Sequence, residues 1–317
     1  MNSKGFFNYM SPDSQSSLYR NGKVLTRRNL EGTDSEWVGV NYEKYEVTVN
    51  DAREGVSATL EQQGFQLLEN DIEGLNIDFF DNEAVLHTYY PLCADVVKDA
   101  VNARAVYAFD HNIRSAAGKK SKKMITGGQQ VQGPAHAVHG DYTLTSAPDR
   151  LRQLAKPPGK NDTIRSLIEE GASLLPPAEA EQILNGGRFG IINLWRNIVP
   201  EPVEVNPLAL CDASKVDPAD LVVFEIHYAD RIGENYFAKY NPNHNWWFYP
   251  KMNRSEALLI KQWDSKGGLA RTKGEQSDAD FPDSPSTFSF HSAFKEPSTP
   301  DDAPDRWSME VRCIVLF

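Results

Sequence analysis

A histidine and an aspartate two positions apart are the residues whose spacing first suggests chemistry. The chain has seven histidines, and only His139 is followed two positions later by an aspartate, Asp141. On a β-strand, residues i and i+2 point to the same face, so this imidazole and this carboxylate can converge on one metal ion. A second histidine from a distant strand would complete a set that leaves open positions on Fe(II) for oxygen and a co-substrate. The alternative is a surface turn.

A second histidine and an arginine follow in the order that such a site requires. His291 lies in the strand-like run STFSFHSAF. Fifteen residues later (306 minus 291), Arg306 opens the only R-x-S pattern of the chain, which ends at Ser308. A guanidinium fork and a hydroxyl form a good receptor for a carboxylate. The ordered set predicts an Fe(II) site in a double-stranded β-helix, with 2-oxoglutarate chelating the metal and Arg306 holding its far carboxylate.

The last strand contains a second candidate for that carboxylate. Arg312 shares a strand face with Arg306 by parity, and it would either hold the carboxylate or pair with Glu310. The sequence alone leaves this choice open.

Further polar and aromatic residues are candidates for the substrate pocket. Asn193, Trp195 and Arg196 lie on or beside a predicted core strand, and Arg196 would meet a carboxylate or form a structural ion pair. His111 and Arg114, in FDHNIR, would face the pocket or hold the end of their strand.

Hydrophobic periodicity predicts the elements that must position these residues. Predicted strands cover residues 45–50, 65–68, 106–110, 135–144, 188–195, 221–229, 235–240, 246–250, 257–264, 286–294 and 307–317. Predicted helices cover residues 95–105, 146–155, 162–172 and 178–184.

This pattern predicts a mainly β protein with inserted helices, built on a jelly-roll, cupin-like core. We expect one domain over residues 1–317, because no linker divides the chain. Residues 1–45 would form an extended arm that lies on its own core or on a neighbouring subunit of a homodimer, and residues 146–186 a helical insert.

Composition excludes several classes of protein. The formal charge is -11, and the densest basic run, GKKSKK at 118–123, is too small for a nucleic-acid interface and is interpreted as a solvated loop. No apolar stretch is long enough for a membrane helix or a signal peptide. The three cysteines form no C-x-x-C pair. We therefore expect a cytoplasmic protein that acts on a small molecule.

Eight stretches, in the same order along almost the whole chain, resemble a known family of fungal and bacterial enzymes. That family contains gibberellin A4 desaturase, the hydroxylase/desaturase of aspergillic acid pathways and the methoxylase subunit of cephamycin biosynthesis. The matching stretches are AFDHNIR (108–114), HGDYT (139–143), INLWRNI (192–198), PLALCDAS (207–214), YNPNHNWWFYPKM (240–252), ALLIKQWDS (257–265), HSAFKEP (291–297) and RWSMEVRCIVLF (306–317).

The resemblance implies an Fe(II)/2-oxoglutarate-dependent oxygenase of secondary metabolism, which would hydroxylate, desaturate or oxidatively cyclise its substrate. Two departures from the family pattern flank Asp141: Gly140 replaces valine and Tyr142 replaces glutamine. We expect Gly140 to free space beside the metal and Tyr142 to contribute to the substrate pocket. Two alternatives are an iron oxidase that uses no 2-oxoglutarate and a non-catalytic partner subunit of a biosynthetic enzyme.

Overall fold

The computed structural model describes residues 2–19, 22–30 and 34–317. The strands in these ranges are β1 (Ser3–Met10), β2 (Leu25–Arg28), β3 (Asp34–Val38), β4 (Tyr42–Asp51), β5 (Phe65–Glu69), β6 (Ala105–Arg114), β7 (His139–Gly140), β8 (Phe189–Asn197), β9 (Leu208–Cys211), β10 (Leu221–His227), β11 (Ile232–Ala238), β12 (Trp246–Phe248), β13 (Glu256–Asp264), β14 (His291–Ala293) and β15 (Ser308–Leu316). The α-helices are α1 (Ala52–Gly55), α2 (Asn82–Ala84), α3 (Tyr90–Val101), α4 (Ala116–Lys120), α5 (Ser146–Leu154), α6 (Pro177–Leu184) and α7 (Gly268–Arg271).

The strands form two sheets. The larger sheet has the order β1-β4-β12-β9-β14-β7-β11-β10-β2-β3, and the smaller has the order β5-β13-β8-β15-β6. Side chains of the smaller sheet hydrogen-bond to Asp141, which follows β7 of the larger sheet. The inner faces of the two sheets therefore meet around this residue.

Strand β15, between β8 and β6 in the smaller sheet, has one apolar and one polar side. Met309 and Val311 of β15 are buried in the main hydrophobic cluster, on which helix α3 packs. Glu310 and Arg312 alternate with them and face the larger sheet, where Arg312 reaches Asp141. The space between the sheets is thus lined with charged groups, and these groups require partners because charges are costly to bury alone.

Two strands that carry the candidate site are much shorter than predicted. Only β7 forms within the predicted strand 135–144, and only β14 within 286–294. The flanking backbone makes single hydrogen bonds to different elements instead of a continuous ladder. For example, the Ser289 N–H donates to the Lys261 carbonyl at 2.9 Å. Asp141 consequently lies beyond the end of its strand.

Two predicted helices also differ from the structure. The predicted helix 162–172 is reduced to a 3-10 turn at Thr163–Ser166, and Gly171 takes a positive φ of 80° that interrupts a helix. The predicted helix 95–105 begins earlier, at Tyr90, and ends at Val101, where Asn102 takes a left-handed conformation with φ of 49°.

The first 45 residues contain the strands β1, β2 and β3, and part of β4. Strand β1 pairs antiparallel with β4 at the edge of the larger sheet, and the side chains of Phe7 and Tyr9 are fully buried. Residues 146–186 contain α5, α6 and the 3-10 turn between them.

Candidate metal centre

Two side chains that are close in sequence and a third that is distant from them meet between the two sheets. His139, Asp141 and His291 are buried, and each offers one ligand atom within 4.8 Å of the other two. His139 Nε2 lies 3.7 Å from Asp141 Oδ1, and the two imidazole centroids are 4.3 Å apart. Among the described residues, this is the only such group of three histidine, cysteine, aspartate or glutamate side chains.

Strand pairing brings the two histidines together. Strands β7 and β14 are antiparallel neighbours, and His139 and His291 are direct partners in their register. His139 Nδ1 lies 2.8 Å from the carbonyl of Ala137, which accepts its hydrogen. This hydrogen bond leaves Nε2 free for a metal and fixes the orientation of the ring.

A β-bulge in the smaller sheet supports both other ligands. The register of β13 against β8 shifts between Lys261 and Trp263, and Gln262 is the extra residue. Gln262 Oε1 accepts the Asp141 N–H at 2.9 Å, and its Nε2 lies 3.5 Å from His291 Nδ1. Gln262 was not among the predicted site residues. An amide within the apolar run ALLIKQWD is the sequence signal that could have indicated it, and the structure buries this side chain fully.

The carboxylate of Asp141 is held in its charged form. Asn193 Nδ2 and Arg312 Nε both donate to Oδ2, at 2.9 and 3.0 Å, which leaves Oδ1 facing His139. Burial alone would raise the pKa of Asp141. The Arg312 guanidinium, and then His291, outweigh burial and hold this pKa well below its ordinary value. The carboxylate is therefore charged at neutral pH.

The two histidines are held in the neutral form that binds metals. Burial lowers the pKa of His139 to about 4, and the neighbouring His291 adds to the effect. Burial also lowers the pKa of His291 to about 4, although Asp141 opposes this shift. Both imidazoles are thus neutral at neutral pH, each with one nitrogen free to bind a metal.

This donor set suits Fe(II). Two neutral imidazoles and one carboxylate match the ligands of non-heme iron oxygenases. Asn193 and Arg312 donate to Oδ2 of Asp141, and Gln262 accepts its backbone N–H, so these contacts orient Asp141 without using Oδ1. A metal-binding carboxylate requires this kind of outer support.

Arg306 and Ser308 are buried with unused hydrogen-bonding capacity. Arg306 Nη1 donates to the carbonyl of Asn206, and the guanidinium lies 5.7 Å above the Trp195 ring. Arg306 Nε and Ser308 Oγ have no hydrogen-bond partner among the described residues. Burial, and then repulsion by Arg114, lower the pKa of Arg306 to about 9. The buried Arg306 guanidinium therefore has no ion-pair partner among the described residues, and an unpaired buried charge is costly.

Arg312 is occupied by three carboxylates. Its Nε, Nη1 and Nη2 atoms lie 3.0 Å from Asp141, 2.9 Å from Asp110 and 2.9 Å from Glu310, respectively. Burial acts to lower the pKa of Arg312, but these carboxylates raise it well above its ordinary value. All three arms of the guanidinium are therefore engaged by the protein.

A cavity of about 590 Å³ opens beside the ligands. His139, Asp141, Arg312, Tyr142 and Arg114 contribute to its lining, whereas the lining does not include Arg306 or His291.

Trp195, Arg196 and His111, which were predicted as pocket residues, do not line the main cavity. Trp195 is buried in a second hydrophobic cluster, beneath the Arg306 guanidinium. Arg196 Nη1 donates to the carbonyls of Asn70 and Arg254. This side chain therefore has a structural role, but it acts through backbone hydrogen bonds and not through an ion pair. His111 Nδ1 lies 2.9 Å from the Tyr90 hydroxyl, and His111 lines a second cavity of about 500 Å³. Strand parity agrees with the positions of Arg196 and His111. Arg196 is three residues from Asn193, which contacts Asp141, and His111 lies between Asp110 and Asn112, which line the main cavity.

The expected role of Gly140 is wrong. A Cβ atom at this position would lie 2.9 Å from Cδ2 of the buried Phe288 ring, so Gly140 accommodates the core and does not open space beside the metal. Tyr142, in contrast, lines the main cavity.

Comparison with known proteins relates the chain to oxidoreductases. A family described as "YDMC: Oxidoreductase/YMDC permease-like domain" matches residues 7–316. None of the helices in the described ranges is long and apolar enough to cross a membrane. An uncharacterized protein from the dcmA 3' region of Methylophilus leisingeri is 45% identical over 192 residues, covering 60% of this chain and 88% of that protein.

Other relatives have named activities. The alpha-ketoglutarate-dependent dioxygenase phiK of a fungal species is 27% identical over 322 residues, covering 99% of this chain and 96% of that protein. The Fe(II)/2-oxoglutarate-dependent dioxygenase nvfI of Aspergillus novofumigatus is 28% identical over 282 residues, covering 87% and 84%. A solved structure of the iron and alpha-ketoglutarate-dependent endoperoxidase NvfI has a TM-score of 0.73 at 25% identity, covering 100% of this chain and 98% of the other. The predicted jelly-roll fold is confirmed.

The lowered histidine pKa values predict that metal binding releases almost no protons at pH 6. Two histidines with the ordinary pKa of about 6.5 would together release about 1.5 protons at this pH, whereas a pKa of about 4 leaves both already neutral. Titration calorimetry with Co(II), in buffers of different ionisation enthalpy, measures this number. Release of more than one proton would show that the pKa values of His139 and His291 are not lowered.

Loss of the Arg312 guanidinium should destabilise the protein strongly. Arg312→Gln leaves three carboxylates without their cation, which should lower the free energy of unfolding by about 3–5 kcal/mol. Arg152→Gln is the control, because its pair with Asp149 is exposed and is expected to contribute less than about 1 kcal/mol. Urea unfolding distinguishes the two variants, and equal small losses would refute the central role of Arg312.

Gly140→Val should destabilise the fold by overpacking, by about 1–3 kcal/mol. Because the clash is with Phe288, the double variant with Phe288→Leu should be more stable than the sum of the single changes predicts. Thermal or urea unfolding of the four proteins measures this coupling. Strict additivity would show that the side chain at position 140 does not meet Phe288.

Proposed function

We propose that His139, Asp141 and His291 bind the iron of this chain, which belongs to the oxidoreductase/YMDC permease-like domain family. The chain is an Fe(II)/2-oxoglutarate-dependent oxygenase. The family predicted from the sequence motifs is confirmed, and with it Fe(II), 2-oxoglutarate and O2 as the cofactor and co-substrates. The observation that carries the site assignment is the convergence of three buried ligand atoms within 4.8 Å.

Arg306 and Ser308 are proposed to hold the far carboxylate of 2-oxoglutarate. The support is their unmet hydrogen-bonding capacity, since Arg306 Nε and Ser308 Oγ are buried without partners in the described structure. A carboxylate there would accept charge-assisted hydrogen bonds and neutralise the buried cation. Arg312 is the weaker candidate, because its guanidinium already contacts three carboxylates.

The protein residues define what the site can do. The bound iron supplies the oxidising chemistry, in which O2 and 2-oxoglutarate are consumed, succinate and CO2 are formed, and the substrate is oxidised. Asn193, Arg312 and Gln262 orient Asp141, while Ala137 orients His139. The cavity beside these ligands admits a small molecule, because about 590 Å³ is within the usual range of ligand sites.

The substrate is proposed to be a small secondary metabolite that is hydroxylated, desaturated or oxidatively cyclised. The support is the activity named for relatives, which include the hydroxylase/desaturase efuI of Hormonema carpetanum and the endoperoxidase NvfI. The cytoplasm is proposed as the location. All three cysteines are buried and unpaired, which agrees with a reducing compartment.

Arg306→Gln should weaken 2-oxoglutarate binding and leave iron binding unchanged. Loss of a charge-assisted contact of about 1.5–3 kcal/mol corresponds to a roughly 10- to 150-fold weaker affinity. Anaerobic calorimetry with the Fe(II)-loaded protein measures both constants, and Arg306→Lys should retain part of the affinity. Unchanged 2-oxoglutarate affinity in Arg306→Gln would assign the carboxylate to another residue.

A further inference from the structure

The main cavity has two chemically different walls. One wall comes from the larger sheet and is aromatic, and it begins at the metal ligand His139. The Phe237 ring lies edge-on to His139 at 5.7 Å, Phe224 packs on Phe237 at 4.3 Å, and Trp37 lies 5.9 Å from Phe224. The Trp37 side chain is 53% exposed. A continuous apolar path therefore runs from the metal ligand to the mouth of the cavity.

The opposite wall is polar and is supplied by β6 and α4. Arg114, at the end of β6, directs Nη1 to the carbonyl of Gly133 at 3.0 Å. Lys119, in α4, lies against the same glycine, because its Cγ is 3.7 Å from the position of a Gly133 Cβ. Both cations line the cavity. Arg114 belongs to FDHNIR, whose role the sequence left open, and Lys119 belongs to GKKSKK, which was predicted to be a solvated loop.

Arg114 and Lys119 differ from the other lining cations in lacking a carboxylate at ion-pair distance within the described residues, although Glu310 and Asp141 act on Arg114 from further away. Arg28, Arg150, Arg231 and Arg312 each lie within 4 Å of an aspartate. No ion pair of Arg114 or Lys119 exists among the described residues. Both side chains are half-buried, where an unpaired charge is costly unless an anion approaches from the cavity.

The geometry points to an anion subsite at Arg114 and Lys119, and hence to a substrate that joins an apolar, ring-containing body to an acidic group such as a carboxylate. The body would pack on the wall formed by Phe237, Phe224 and Trp37, and the acid would bind the guanidinium. This inference rests on the proposed function, because it places the substrate beside the iron ligands. Arg306 does not line this cavity, although it lies close enough to Arg114 for the two cations to repel each other, so the test below includes 2-oxoglutarate binding.

Two probes with the same aromatic skeleton test the subsite. 8-Anilinonaphthalene-1-sulfonate carries an anion, and N-phenyl-1-naphthylamine lacks it. Fluorescence titrations use the anaerobic protein saturated with Fe(II) and 2-oxoglutarate. The anionic probe should bind at least tenfold more tightly than the neutral one. Equal affinities in the wild-type protein would overturn the inference.

Variants assign the preference to particular residues. Arg114→Gln should weaken binding of the anionic probe at least tenfold and leave the neutral probe within twofold, whereas Arg114→Lys should retain most of the preference. Arg231→Gln is the matched control, because this lining cation is paired with Asp162 and should leave both affinities within twofold. Trp37→Ala should weaken both probes by a similar factor. An unchanged preference in Arg114→Gln would refute the role of this residue.

Titrations of the same proteins with 2-oxoglutarate, beside the probe titrations, separate this inference from the proposed function. If Arg114→Gln abolishes 2-oxoglutarate binding, Arg114 belongs to the co-substrate site and the inference is wrong. If wild-type protein binds Fe(II) and 2-oxoglutarate but shows no preference for the anionic probe, only the inference fails. If wild-type protein binds no 2-oxoglutarate, the proposed function fails.

Discussion

The contact between Arg312 and Asp141 is the interaction on which the site most depends. Asp141 is buried, and a buried carboxylate would normally take up a proton and lose its value as a metal ligand. Arg312 prevents this from a distance of 3.0 Å, while Asp110 and Glu310 hold the guanidinium on its other sides. The polar lumen between the sheets is therefore a connected charge network, and the candidate metal ligands are part of it.

This network also explains why two similar arginines on one segment have different roles. Arg312 is surrounded by carboxylates that the fold supplies, whereas Arg306 is more deeply buried but keeps its Nε without a partner in the described structure. A fold that buries one arginine fully paired and another unpaired leaves the second available to an incoming anion. The sequence shows both as arginines of equal parity and suggests Glu310 as a possible partner of Arg312, but it does not reveal the contacts with Asp110 and Asp141.

Sequence periodicity predicted the long strands well, because β8, β10, β13 and β15 are apolar runs whose residues are almost all buried. It overestimated the strands that carry the ligands, since their flanks bond to scattered partners. The spacing of His139 and Asp141 predicted a metal site from strand parity, and the structure brings the two residues together for a different reason. Asp141 lies beyond β7, and Gln262 and Arg312 direct it to the metal position instead of strand parity. Such supporting contacts join distant segments, and no local pattern encodes them.

The most direct test of the central claim is an anaerobic titration of the metal-free protein with Fe(II) and then 2-oxoglutarate, followed by visible absorption. The wild-type protein should show the weak charge-transfer band of a 2-oxoglutarate chelate, and Asp141→Ala should lose it. Iron binding without the band would contradict the 2-oxoglutarate site. Persistence of the band in Asp141→Ala would contradict the assignment of His139, Asp141 and His291 as the metal ligands.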